Sequence, residues 1–215
     1  AENDSNPSAT NLDGNILTSD DAILFGTSVV TGTSTINPAG GTVTFDTLTI
    51  NDGKTLVVGT GDTGAISFGS TVNSASGGTG NLTINTDDTA TLNAAVGATA
   101  LGTLTLTDGD LNTNNQNITA ANITVNGGVF NSHATNKAGT WAVENVTIGS
   151  SGTLKGTTGS FNVSGNWSNS GTFTHNNGTV TFDGSTAQGL TGSTTFYNLT
   201  LNNAAGITLN DNSIV

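Results

Sequence analysis

Polar and apolar positions alternate with period two in short blocks that recur along the chain. The unit is Asn or Thr, an aliphatic residue, Thr, then a second aliphatic residue or Phe. It reads Thr47-Leu48-Thr49-Ile50, Asn81-Leu82-Thr83-Ile84, Thr103-Leu104-Thr105-Leu106, Asn122-Ile123-Thr124-Val125, Asn145-Val146-Thr147-Ile148, Thr179-Val180-Thr181-Phe182 and Asn198-Leu199-Thr200-Leu201. Looser copies are Ala65-Ile66-Ser67-Phe68 and Phe161-Asn162-Val163-Ser164. Such alternation puts the aliphatic residues on one face of an extended segment and Thr or Asn on the other, so each block predicts one short strand. Successive blocks begin 16 to 23 residues apart, close to 19 on average.

Between the blocks lie turn formers, among them Asn51-Asp52-Gly53, Asp108-Gly109-Asp110, Asn126-Gly127-Gly128 and Asp183-Gly184. No helical periodicity competes with them; Gly97 and Thr99 interrupt the one Ala-rich stretch, Ala94 to Ala100. Short strands at even spacing fit either a sandwich of hairpins or a solenoid of stacked coils. A sandwich has no reason to repeat the same four residues. A solenoid does, because equivalent positions on successive coils lie about 4.8 Å apart and like residues stack on like. The sequence therefore predicts an all-β fold, a parallel β-helix with coils of about 19 residues.

Residues 42–50 show how a coil bends. Val43 and Phe45 point one way, and Leu48 and Ile50 follow after a one-residue slip of phase at Asp46-Thr47, which keeps apolar side chains inward around a corner. Stacked Asn side chains are expected to form an amide ladder between coils. Nine to ten coils would make a rod of roughly 45–50 Å. Residues 26–215 read as one solenoid domain, and residues 1–25, which lack the unit, as an N-terminal extension or cap. The final strands run to Ser213-Ile214-Val215 without a polar cap, and a rod needs its ends closed. Ile23, Leu24 and Phe25 at one end and Leu209, Ile214 and Val215 at the other are the expected assembly ends. The expected partners are a second copy joined head to tail or further repeats of a longer chain.

Composition narrows the function. The chain of 215 residues holds 42 Thr, 29 Asn and 30 Gly, with 15 acidic and 3 basic residues, no Arg and no Cys. A net charge of −12 speaks against nucleic acid and anionic membrane surfaces, which need clustered Lys and Arg; Lys54, Lys137 and Lys155 are scattered. No apolar run of about 18 residues suggests a transmembrane segment. The chain opens on Ala1 and contains no Met; an exported protein after removal of a signal peptide, extracellular or at the cell surface, is the expectation.

The stretch from Ser160 to Asn210 carries G-N-W-x-N-x-G-T-F (Gly165 to Phe173), G-T-V-T-F (Gly178 to Phe182) and F-Y-N-L-T-L (Phe196 to Leu201). In these elements it resembles repeats of large bacterial surface proteins and adhesins of the β-solenoid type, filamentous-haemagglutinin-like or autotransporter-like. The resemblance implies a right-handed parallel β-helix displayed outside the cell, working in adhesion, matrix or fibre formation without catalytic residues.

Other chemistry is thinner. Gly59-Thr60-Gly61-Asp62-Thr63-Gly64 matches a dinucleotide fingerprint in spelling, but a strand follows where a helix must receive the pyrophosphate. Asp108, Asp110, Asn112 and Asn114 alternate as oxygen ligands in calcium loops do, yet Thr113 and Thr119 stand where an EF-hand needs Gly and Glu. Calcium is the one cofactor left open. His133 and His175 have no acidic neighbour at a motif spacing, and an enzyme acting on acidic polysaccharide would need cationic groups that this chain lacks. Trp141, Trp167 and Tyr197 fit rod filling better than sugar stacking. The outward file Thr49, Thr83, Thr105, Thr124, Thr147, Thr181 and Thr200 raises ligand binding, to glycan or ice, as a second class of function.

Overall fold

A Thr/Asn-rich alternating chain without helix formers can satisfy its backbone only by pairing with other extended segments. In the computed structural model, which describes residues 9–131 and 138–210, it does so as a parallel β-solenoid with no helix and with turns about 21 residues apart. The 23 strands of the described residues belong to one sheet, and every pairing among them is parallel. Parallel pairing ordinarily needs a long crossover. Here the crossover is the rest of the coil.

Each coil has three faces. The first is entered at Thr10–Leu12, the second at Ile16–Leu17 and the third at Ile23–Phe25. The next coil repeats the order with Ser28–Val30, Ser34–Asn37 and Val43–Phe45, each paired to its predecessor. The first face continues through Leu48–Ile50 and Val72–Ser74 to Thr179–Phe182 and Asn198–Leu201. The second ends at Ile207–Leu209 and the third at Thr172–Thr174. In the middle of the rod the chain stays extended around its corners: Asn81–Leu92, Val96–Asn112, Ile118–Val125 and Trp141–Ile148 each serve two or three faces.

The phase slip is visible at these corners. Phe45 and Leu48 are both fully buried with Asp46 and Thr47 between them, and Val143 and Val146 flank Glu144 and Asn145 in the same way. Two consecutive outward residues turn the chain while both flanking side chains stay inside.

The interior is a set of files, one residue per coil. Leu48, Val72, Val96, Ile118, Trp141, Phe161 and Val180 stack on the first face. On the third, Phe25, Phe45 and Phe68 stack ring on ring at 4.8 and 5.4 Å, within 14° of parallel. Toward the C-terminal end the files meet in an edge-to-face cluster of Phe130, Trp141, Phe161, Trp167, Phe182 and Phe196. Full burial of each such side chain is worth about 1.5–3 kcal/mol.

One expected detail differs. The coil is about 21 residues, not 19, because the repeated unit does not always fall on the same face. Thr47–Ile50 lies on the first face, Ala65–Phe68 on the third and Asn81–Ile84 on the second, so counting from unit to unit mixes whole turns with parts of turns. Within residues 10–25, three strands pair in turn with the coil that follows, and Leu12, Ile23 and Phe25 lie in the core.

Candidate binding surfaces

The outward Thr residues do not make one file. Thr83, Thr105, Thr124 and Thr147 are direct neighbours on the second face, extended by Ser168 and Thr191. Thr49 lies on the first face between Val29 and Asn73, and Thr181 and Thr200 pair with each other at the far end of that face. Beside the four-Thr run stands a second outward file, Thr55, Asn81, Thr103, Asn122 and Asn145.

The amide ladder is present in that second file. Asn122 Nδ2 donates to Thr103 Oγ1 at 3.3 Å, and Asn145 Nδ2 to Asn122 Oδ1 at 3.0 Å. Asn145 Oδ1 then accepts from the Asn166 N–H at 2.8 Å, and Asn166 Oδ1 from the Gly189 N–H at 2.7 Å. A second ladder follows the third face: Asn93 Nδ2 donates to Ser67 Oγ, and Asn114 Nδ2 to Asn93 Oδ1.

That second ladder bears on the calcium candidates. Asn112 Oδ1 accepts from the Asn114 N–H at 2.9 Å, while Asn114 reaches back to the previous coil. Asp108 Oδ1 accepts from the Gly109 N–H, Asp108 sits opposite Asn85, and Asp110 sits opposite Thr89. Asp110 shares a shallow polar notch with Asp87, Asp88, Thr89 and Gly109. The four candidates are thus spread over a corner, a strand and the following turn. Among the described residues no three acidic or imidazole side chains are grouped to hold a metal.

Gly59 to Gly64 form a corner between strands Thr55–Val58 and Ile66–Phe68. Gly59 has φ +85°, and a Cβ there would overlap the Asn85 carbonyl of the next coil, so close stacking explains the glycine.

Asp52 fastens a long turn. Its carboxylate accepts from the N–H groups of Gly77 at 2.7 Å and Thr79 at 3.2 Å and from the hydroxyls of Ser74 and Thr79. The hydrogen bond from the Thr79 N–H, then that from Gly77, holds its carboxyl below the usual carboxylate value.

Trp141 and Trp167 lie inside the rod, and Trp167 Nε1 donates to Thr194 Oγ1 at 3.0 Å. Tyr197 is exposed, with its ring 5.4 Å from that of His175. His175 Nδ1 accepts from the Asn177 N–H. His133 lies outside the described residues.

At the expected assembly ends, Ile23 and Phe25 are core residues and only Leu24 of that trio faces outward, 65% exposed. At the other end Leu201 and Leu209 are more than half exposed, and Leu199 and Ile207 are partly so. Among the described residues, the strands Asn198–Leu201 and Ile207–Leu209 are paired along one edge alone. Ile214 and Val215 lie outside the described residues.

An open groove of about 380 Å³ follows the edge between the first and second faces, lined by Ala100, Thr119 to Ala121, Ala142 to Glu144, Asn162, Ser164 and Asp183. A small outward residue, Ala142, in a file where most coils carry Thr or Asn, was the signal available for it.

Comparison with protein-family models, with curated proteins and with solved structures returns no match.

Proposed function

We propose that this chain is a non-enzymatic extracellular structural protein, a rod-like β-solenoid module of a cell-surface fibre or adhesin that joins end to end with a second copy or with further coils. The supporting observation is the C-terminal coil. Leu201 and Leu209 are exposed there, on two strands that are paired along one edge alone among the described residues. An unpaired strand edge is a template for strand addition, and a head-to-tail contact that does not close generates a filament. The bacterial adhesin-like elements between Gly165 and Leu201 support the same reading. Electron microscopy and sedimentation velocity over a hundredfold range of concentration test it. Concentration-dependent rods that Leu201→Lys with Leu209→Lys abolishes support the reading; a monomer at all concentrations removes self-assembly from it.

A second reading has its own observation, the two parallel outward files on the second face. Four consecutive coils present Asn or Thr at one position and Thr at the next-but-one, from Asn81 and Thr83 to Asn145 and Thr147. Regular hydroxyls at strand spacing suit a repetitive surface such as ice. Thermal hysteresis that Thr105→Lys and Thr124→Lys abolish would favour it; none at millimolar protein would exclude it.

A further inference from the structure

The groove at the edge of the first and second faces is a side-chain-built site spanning several coils. Register places Thr119, Ala142 and Asn162 in one outward file, since Thr119 pairs with Ala142 and Ala142 with Asn162. The corner residues form a second file. Val143 is level with Val163 and Val163 with Phe182, so the residues that follow them, Glu144, Ser164 and Asp183, succeed one another coil by coil. Glu144 and Asp183 are therefore two coils apart, roughly 10 Å at strand spacing. Ala methyls line the groove together with carboxylates, hydroxyls and a carboxamide, and among the described residues no lysine lines it.

One wall is a backbone feature. The strand Val96–Asn112 bulges between Val96, level with Ile118, and Leu101, level with Ala120. Gly97 opens the bulge at φ +81°, where a Cβ would overlap the Thr119 carbonyl, and Asn73 Oδ1 holds it by accepting from the Ala98 N–H at 2.8 Å. The bulge carries Ala100 out to the groove.

The chemistry selects the occupant. Strands beneath the groove are paired with coils on both sides, so no main-chain edge is free and an extended peptide cannot add as a strand. Recognition must come from side chains: an apolar floor for C–H faces, Thr119, Asn162 and Ser164 for hydroxyls, and two carboxylates for positive charge. The volume falls within the range of small-ligand sites. We infer that this groove binds a glycan bearing free amino groups, with sugar hydroxyls hydrogen-bonded to Asn162 and the hydroxyl side chains and ammonium groups paired with Glu144 and Asp183. This site is independent of end-to-end assembly.

Calorimetric titration of the full chain with a tetramer of β-1,4-linked glucosamine tests it, beside the N-acetylated tetramer and tetralysine. The expected result is binding of the glucosamine tetramer, weakened about tenfold or more by Glu144→Gln with Asp183→Asn. The same loss is expected from Ala142→Phe, which fills the floor and keeps the charge. Asp46→Asn with Asp62→Asn removes equal charge from exposed sites away from the groove and should leave affinity unchanged. Three outcomes overturn the proposal: no binding of the glucosamine tetramer, equal weakening by the remote pair, or tetralysine binding as tightly with the same dependence on Glu144 and Asp183. Circular dichroism confirms that each variant is folded.

Discussion

Trp141 and Trp167 are both buried, but their indole N–H groups differ. That of Trp167 meets Thr194, and that of Trp141 meets no acceptor among the described residues. Trp→Phe at either site loses ring volume, and Trp167→Phe also loses the hydrogen bond to Thr194, a net difference of about 1 kcal/mol. Denaturant midpoints should fall further for Trp167→Phe than for Trp141→Phe; the reverse order would mean that the indole contact is not formed. Gln188 makes four hydrogen bonds. It donates to the carbonyls of Val163 and Gly165 and accepts from the Gly184 N–H and Asn203 Nδ2. Gln188→Leu strands these buried groups and should cost about 3 kcal/mol or more; a loss under about 1 kcal/mol would contradict the assigned bonds. For Asp52 the sign follows from the direction of its shift. Its folded value lies below the ordinary 3.8, so its contribution is present above that value and fades as pH falls through the lowered one. The stability gap between the native chain and Asp52→Asn should be open at pH 7 and close in strong acid. A gap that widens on acidification would refute this role.

Strands and corners were legible in unequal measure. Asp46-Thr47 revealed a corner because two outward residues between buried Phe45 and Leu48 break a period-two pattern that is otherwise strict. The strands within residues 10–25 were hard to read because Ile16, Ile23 and Phe25 lie in segments of two or three residues, too short to show alternation. Phe25, Phe45 and Phe68, one per coil, held the missing signal, but an uneven spacing of 20 and 23 residues hid it. The Asn ladder was anticipated in kind, whereas its partners depend on which face each unit occupies, which only the coil length decides. The groove was not anticipated, since it needs Ala121, Glu144, Ser164 and Asp183 to be brought together from four coils. Gly97 is the element-scale test. Gly97→Ala forces a left-handed backbone and a clash with Thr119, and should destabilise by about 1–3 kcal/mol. An unchanged midpoint would contradict the bulge.

For the molecule as a whole, stability is a sum of coils and of interfaces between neighbours, and charge acts on association more than on fold. A net charge of −12 makes copies repel. Screening shortens that repulsion to about 10 Å at 0.1 M salt, so end-to-end assembly should accelerate between 20 mM and 500 mM NaCl. Slower assembly at high salt would point to a contact made by ion pairs and not by the apolar last coil.

Every assignment above depends on parallel coils stacked in register, and the absence of native Cys lets two introduced thiols carry spin labels without interference. Thr35, Val57, Thr83, Thr105, Thr124, Thr147, Ser168 and Thr191 succeed one another on the second face. Pulsed electron-electron resonance on Thr35→Cys paired in turn with Thr124→Cys, Thr147→Cys and Thr191→Cys should give distances that grow by about 4.8 Å per coil, near 19, 24 and 34 Å. Distances that fail to rise with coil number, or that fold back at the far pair as in a sandwich of hairpins, would contradict the solenoid and every surface derived from it.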